Sequence, residues 1–272
     1  MMNLIERLAW WCLRKRKYAL TDIYDSWDIV LANRLTPDED FMQRVLHRHL
    51  LYEGLMKALV RLETDLVVDV GSHVGSFGSR LRQFGYQGRI ISCEPNPDVY
   101  ALLKSAADAD ALWTSAHVGV SAKAGKMILN VTESSSFSSF RARNDYSDAT
   151  FGELSRVQDQ IEVETQPLSD ILAAHILATG IQPKSVFLKS DTQGYEREVM
   201  AGLGDWKKLV KGLLVEVAVN PIYDNVPSLS EDHAFYEDSG FELANCSPVS
   251  RGKNHEIVEL DCLYLKRSLV TR

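Results

Sequence analysis

The chain has 272 residues, 45% apolar and 25% charged, enough to bury one large α/β core with an appended segment. That balance excludes an extended disordered protein. A formal charge of −7 argues against nucleic acid as a partner, because proteins that grip phosphate backbones concentrate excess Lys and Arg.

At the amino terminus, "LIERLAWWCLRKRKY" puts Leu4, Ile5, Leu8, Trp11 and Cys12 on one helical face, followed by Arg14, Lys15, Arg16 and Lys17. Packing of that face on the protein's own body is the expected use. Contact of residues 1–18 with a membrane surface, or with a partner subunit such as a second copy, is the alternative. No apolar run approaches the ~20 residues of a membrane span and no secretion signal is present, so a cytoplasmic protein is expected. "TPDEDF" reads as a helix start, with Thr36 as cap and Pro37 in the first turn, and Phe41, Val45, Tyr52, Met56 and Leu59 follow at helical spacing. Residues 1–62 are therefore expected to be a helical extension and residues 63–272 the main domain.

From Asp65 onward short apolar runs alternate with amphipathic helices, which predicts an α/β fold with a mostly parallel sheet. The predicted strands are "LVVDV", "GRIISCEP", "ALWTSAHVGV", "SVFLKSD" and "GLLVEVAV". Helices are expected around Phe77–Phe84, Val99–Ala106, "PLSDILAAHI" and Glu231–Ser239. "FELANCSP" and "IVELDCLYLK" are separated by too short a loop for a crossover and should pair antiparallel. Cys93, Cys246 and Cys262 fall in strand-like runs; with no C-x-x-C pair or zinc-finger spacing, the cysteines read as reduced thiols and no metal site is expected.

Ligands of such sheets lie beyond the carboxyl ends of the strands, where chain direction around the sheet reverses. "VVDVGSHVGSFGSRL" turns there from strand to helix, and Gly71 and Gly75 let the backbone approach a ligand. The spacing is G-x-x-x-G, without the G-x-G-x-x-G crossing that presses amides on a dinucleotide pyrophosphate. A looser turn suits a nucleoside without phosphates. Glu94 ends the second strand, where it can accept from both ribose hydroxyls, with Pro95 and Asn96 in the same turn. Asp69 either organises the loop amides and an ammonium group or simply caps the strand end.

These stretches, with "SAHVGVS", "ESSSFSSF", "FLKSDTQGYEREVMAGL", "LLVEVAVNPIYDNVP" and "GFELANCSP", closely resemble the FkbM family of S-adenosylmethionine-dependent methyltransferases over about Leu66–Lys266. The resemblance implies the class I methyltransferase fold, a Rossmann-like seven-stranded sheet with its last strands antiparallel. It also implies O-methylation, usually of a sugar, glycan or secondary-metabolite hydroxyl. S-adenosylmethionine would then occupy Asp69, Gly71, Ser72, His73 and Gly75, with Glu94 on the ribose and His117 and Val118 near the adenine. Two positions depart from the family pattern: His73 stands where Asn is common, and "DTQG" replaces "DVQG". His73 either keeps the hydrogen-bonding task of Asn or adds an ionisable group beside the donor.

Methyl transfer is an in-line displacement that needs alignment and one base. The candidate base is Asp191, which ends the fourth predicted strand on the sheet edge of the glycine turn; its other reading is a cap on a helix beginning near Gln193. Lys189 shares its face and either pairs with a carboxylate or holds an anionic acceptor group. Glu216, a charge inside a buried strand, needs a partner or lines the acceptor pocket; a divalent ion shared with Asp191 is a less favoured arrangement. The run Ser134–Ser139, with Ser136 at its centre, is expected to border the pocket. Arg141–Gln158 is expected to form part of a lid, with Arg141 and Arg143 either meeting an acidic acceptor or solvated. Asn220 and Tyr223 are expected at the rim. A nicotinamide-dependent oxidoreductase and a non-catalytic partner protein with the same fold are the rival functions.

Overall fold

The computed structural model describes residues 18–23, 26–33 and 39–269. The chain divides into two compact units, residues 1–50 and 51–272. In the first, β1 (Tyr18–Ile23) and β2 (Ser26–Asn33) form an antiparallel hairpin with Tyr18 opposite Asn33. The expected helical character of residues 1–62 is thus corrected over 18–33. Tyr, Thr, Ile, Trp and Val cluster in these two stretches, and β-branched and aromatic residues favour the extended backbone. The amphipathic stretch at residues 1–17, with its suggested membrane or subunit contact, and the cap at Thr36–Pro37 lie outside the described residues. Helix α1 (Glu39–Arg61) follows.

The larger unit is built on β3 (Leu66–Val70), β4 (Arg89–Cys93), β5 (Trp113–Ala116), β9 (Val186–Ser190), β10 (Val210–Ala218), β11 (Phe241–Arg251) and β12 (Ile257–Lys266). They form one seven-stranded sheet in the order β11-β12-β10-β9-β3-β4-β5. The pairs from β10 to β5 are parallel, and β12 runs antiparallel to both β10 and β11, as the terminal hairpin required. This is a mostly parallel α/β sheet of seven strands with its last strands antiparallel. Strand order reverses between β3 and β9, and that switch point places the carboxyl ends of both strands side by side.

Side chains alternate between the two faces of the sheet. Val67, Ile90, Phe187 and Leu214 pack with Leu55 and Leu59 of α1, Phe77 and Leu81 of α2 (Ser76–Gln83) and Leu103 of α3 (Pro97–Asp108). Val68, Ile91, Leu188 and Val215 pack with Leu172 of α5 (Leu168–Thr179), Val199 of α6 (Glu196–Ala201) and Tyr236 of α7 (Leu229–Asp238). These residues are almost wholly buried, which explains why their strands read as continuous apolar runs.

Between β5 and β9 the chain makes a second, three-stranded sheet of β6 (Gly119–Val120), β7 (Gly125–Thr132) and β8 (Val157–Gln166), ordered β6-β8-β7. The serine run follows β7 and contains a 3₁₀ turn at Ser135–Phe137. Residues 141–158, expected to form part of a lid, contain α4 (Asp145–Phe151), a second 3₁₀ turn at Gly152–Ser155 and the start of β8. Asn144 caps α4 by accepting from Ser147 N. Among the described residues no helix is long and apolar enough to cross a membrane.

Candidate active site

The glycine turn after β3 is fixed by its backbone. Gly71 has φ +69°, and a Cβ there would lie 1.8 Å from the carbonyl oxygen of Asp191. Only glycine lets β3 and β9 close up at the switch point. Gly71 N and Ser72 N both donate to Cys93 O, and Ser72 Oγ donates to Asp69 O at 2.6 Å. His73 also has a positive φ, +49°. His, like Asn and Asp, enters that region several-fold more readily than most side chains.

The second strand tip supplies Glu94, buried at 7% exposure. Its Oε2 accepts from His73 N and its Oε1 from Asn96 N, each at 2.9 Å. Burial pushes its carboxyl up to about 7, against the pull of those two N–H groups. Asn96 in turn caps α3 through Asp98 N. Pro95 O accepts from or faces His117 Nε2 at 3.1 Å, and the exposed His117 ring stacks on Tyr100 with centroids 4.7 Å apart. Val118 is buried beside it in the core.

Asp69 is fully buried, with Lys189 Nζ 3.1 Å from its Oδ1 and Ser92 Oγ donating to its Oδ2 at 3.4 Å. Oδ1 has the ammonium as a close ion-pair neighbour but no well-directed hydrogen bond. Lys189 also donates to Gly71 O at 3.0 Å and sits 3.4 Å from Asp191 Oδ2. Its burial would lower the ammonium pKa, but the carboxylates of Asp69 and Asp191 outweigh that and raise it. Lys189 therefore stays charged and binds the turn to both strand tips.

Asp191 ends β9 with its main-chain N donating to Val70 O, and its side chain is 38% exposed. It does not cap a helix: α6 begins at Glu196, and the Glu196 carboxylate accepts from Thr192 N and Oγ1 instead. The group that holds Asp191 is Gln193, a residue the sequence reading missed. Gln193 Nε2 donates to Asp191 Oδ1 at 3.1 Å and to Glu216 Oε2 at 2.5 Å, while Gln193 Oε1 accepts from Tyr223 OH at 2.8 Å. With Oε1 taken by the Tyr223 hydroxyl, the Nε2 donors of the amide are turned to the two carboxyl groups. Gln193 O accepts from Ser139 Oγ at 2.7 Å, which ties in the serine run.

Glu216 faces Asp261 across β10 and β12, with Glu259 two residues further along. Burial and the nearby carboxylates of Glu259, Asp191 and Asp261 push its carboxyl well up. Burial lifts Glu196 and Glu259 to about 7 as well. Glu216, Glu259, Glu196 and Tyr223 line one narrow recess beside Gly194. Asp191 and Glu216, the pair considered for a divalent ion, are bridged by the Gln193 amide.

Several expected positions shift. Tyr223 is not at the rim but buried, its hydroxyl between Gln193 Oε1 and Phe137 O. Asn220 holds β12 by donating from Nδ2 to Ile257 O. Ser136 is exposed and touches Ser134; the serine that meets the glycine turn is Ser135, whose Oγ lies 2.7 Å from His73 Nε2. Burial lowers the His73 pKa, with Lys189 adding to that and Asp191 opposing it, so the ring is neutral at pH 7. Arg141 is committed to Gly194 O and Glu198, and Arg143 to Ser147 and Asp148.

A glycine turn, a carboxylate at the next strand tip and an acidic strand end thus meet across the switch point. The model of the methyltransferase FkbM domain matches residues 69–243, more than half the chain. The chain belongs to the FkbM methyltransferase family. No curated protein sequence matches it. Among solved structures it is similar to an FkbM methyltransferase from Methylobacillus flagellatus KT, 14% identical with TM-score 0.43, over 74% of this chain and 43% of that one. It is also similar to the magnesium protoporphyrin IX methyltransferase of Synechocystis PCC 6803 with bound SAM, 13% identical with TM-score 0.43, over 85% of each chain. A third is Aeropyrum pernix fibrillarin with natively bound S-adenosyl-L-methionine, 10% identical with TM-score 0.42, over 74% of this chain and 66% of that one. The chain thus spans less than half the length of the Methylobacillus FkbM structure. The matched span takes in the glycine turn, the serine run and the strand-end aspartate.

Proposed function

We propose that the protein is an S-adenosylmethionine-dependent O-methyltransferase acting on a hydroxyl of a sugar, glycan or secondary metabolite, in the cytoplasm. The observation that carries this reading is the contact of Gly71 with the main chain of Asp191, which sets a part-exposed carboxylate against the donor turn. The residues fit the donor. Glu94 spends one lone pair of each oxygen on a backbone N–H and keeps the others for the two ribose hydroxyls. The turn from Gly71 to Gly75 offers backbone without side-chain bulk, and Ser72 and His73 belong to the same wall.

When bound, S-adenosylmethionine supplies an electrophilic methyl group on sulfur. Aligning an acceptor oxygen with that methyl is worth about 7–11 kcal/mol, and removing its proton a further ~10²–10⁴-fold. Asp191 takes that proton at Oδ2, because Oδ1 is held by Gln193. The Lys189 ammonium lies 3.4 Å from Oδ2, the oxygen left to face the acceptor. His73, neutral, holds Ser135 and so keeps the serine run over the turn. Glu216 reaches the acceptor side only through Gln193, and Tyr223 acts by holding that amide.

Calorimetry with S-adenosylmethionine and S-adenosylhomocysteine on the wild type, Glu94→Ala and Asp69→Asn tests the donor half. Saturable binding that falls at least about tenfold in Glu94→Ala is expected, a change of roughly 1.4 kcal/mol. Methyl transfer from labelled donor to a panel of sugar and polyketide alcohols tests the acceptor half. A wild-type protein that ignores both donor and product refutes the reading.

A further inference from the structure

At the opposite pole of the sheet, below the amino ends of β3, β4 and β9, lies a cavity of about 200 Å³. Five-residue strands rising ~3.3 Å per residue put it on the order of 15 Å from the glycine turn. Its walls are largely apolar, formed by Leu66, Leu112, Ile181 and Pro183. Three nitrogen-bearing side chains break that surface, and one of them, Gln87, spends its amide on Gly85 O at 3.3 Å. His175, on α5, is 8% exposed, and its Nε2 is buried without a hydrogen-bond partner. Arg89, at the start of β4, carries a guanidinium that makes no hydrogen bond or ion pair among the described residues. Its neighbour Arg82 is by contrast fully committed, to Asp110, Tyr86 O and Gly88 O.

Buried polar atoms without partners are rare and costly, and one beside a guanidinium unpaired among the described residues calls for a ligand acceptor. A bound water alone is a poor answer, since it needs two to four polar partners and most of this wall is apolar. The one acid in the lining, Asp65, accepts from Lys184 N at 2.8 Å and Ser185 N at 3.0 Å, so its oxygens serve the main chain and not Arg89. Its negative charge nevertheless sits in the wall and disfavours a dianion. The volume sets the ligand size: an apolar void of about 150 Å³ already accepts benzene.

We propose that this cavity is a second small-molecule site, separate from the methyl-transfer site, for a monocarboxylate with a compact apolar body. The carboxylate lies between the Arg89 fork and His175 Nε2–H, and the body packs on Leu66, Leu112, Ile181 and Pro183. Arginine suits this role because its planar donors match a carboxylate in a bidentate pair. Burial and the Arg89 charge lower the His175 pKa, which keeps the ring neutral with one nitrogen free to donate.

The probe is benzoate, followed by calorimetry and by NMR of the histidine rings in the full chain. Benzamide serves as the neutral isostere and phenyl phosphate as the dianion. Saturable binding of benzoate with a shifted His175 resonance is expected, with benzamide and phenyl phosphate each weaker by at least about tenfold. Arg89→Gln and, independently, the cavity-filling Leu112→Trp should each weaken benzoate at least about tenfold while S-adenosylhomocysteine affinity stays within about twofold, which also reports that each variant is folded. No saturable response to benzoate, or equal binding by both variants, overturns the site. Phenyl phosphate binding as tightly as benzoate overturns the monoanion assignment.

Discussion

The two halves of the candidate active site are built by different means. The donor half, β3 to β4, is mostly backbone: a turn with Gly71 at φ +69°, amides donating to Cys93 O, and one carboxylate held by two main-chain N–H groups, Asn96 in its own turn and His73 from the tip of the neighbouring strand. The acceptor half, around β9, β10 and β12, is mostly side chain, with Gln193 joining Asp191, Glu216, Tyr223 and Ser139 from four separate segments. A site half made of backbone tolerates changes of side chain and fails when the chain path changes. A half made of side chains does the reverse, and each residue can be altered with the fold intact.

Gly71→Ala breaks the first half most severely. Its Cβ would overlap Asp191 O, a main-chain atom that cannot move without separating β9 from β3. A destabilisation on the order of 3–5 kcal/mol is expected, with loss of S-adenosylhomocysteine binding. At about 2–4 °C per kcal/mol for a chain of this size, thermal melting should fall by roughly 10 °C. A melting point within a few degrees of wild type would show that the strand tips are not in contact at that carbonyl.

Asp191→Asn tests the second half with little structural cost, since the side chain is part-exposed and Asn can still accept from Gln193. Methyl transfer should fall ~10²–10⁴-fold while S-adenosylhomocysteine affinity holds within about threefold. Loss of donor affinity instead would place Asp191 in the donor half. Gln193→Leu is expected to act more weakly on turnover, about 10-fold or more, and to cost roughly 2–4 kcal/mol of stability, because Glu216 and Tyr223 lose a buried partner. Gln193→Glu adds a negative charge beside Asp191 and should move the acid limb of the pH–rate profile upward. A purely structural role for Gln193 would lower stability and leave that limb in place.

The contrast between the halves also explains what the sequence disclosed. Strands β3, β4, β9 and β10 were readable because burial on both faces makes them continuous apolar runs, and the glycine turn and Glu94 were readable because their spacing is local. The hairpin at 18–33 was read as helix, since the flanking helical periodicity was carried across a stretch whose β-branched and aromatic content favours strands. Strand β8 was passed over because most of its side chains are exposed, leaving Val157–Gln166 to look like charged loop. Gln193 and Gly194, both at positive φ, sit in a short turn, and nothing in "DTQG" reveals that Tyr223 and Ser139 reach it from afar. The one available hint was charge within buried strands: Glu216 prompted the question of a partner, and Glu259 and Asp261 in "IVELDCLYL" carry the same signal.

The smallest effect concerns Glu94, where the backbone-built half meets a titrating group. Its carboxyl is raised by burial to about 7, above its ordinary value of 4.5, so near neutral pH it is divided between two states. Ribose hydroxyls that donate to both oxygens prefer the ionised form. Donor binding should therefore release a fraction of a proton near pH 7, and S-adenosylhomocysteine affinity should rise several-fold between about pH 6 and 8 before levelling off. Calorimetry in two buffers of different ionisation enthalpy reads the proton directly. Proton uptake instead of release would mean that the carboxyl is protonated in the complex and donates to the ligand. The opposite sign applies to folding: because the native state holds this proton more tightly than the unfolded chain, the contribution of Glu94 to stability falls as pH rises from about 4.5 to 7, and Glu196 and Glu259, both raised to about 7, act in the same direction. Bound product should offset that loss at high pH, so the gain in melting temperature on adding S-adenosylhomocysteine should be larger at pH 8 than at pH 6. Glu94→Gln should remove the pH dependence of the gain while leaving the turn of Gly71 and Ser72 on Cys93 O in place.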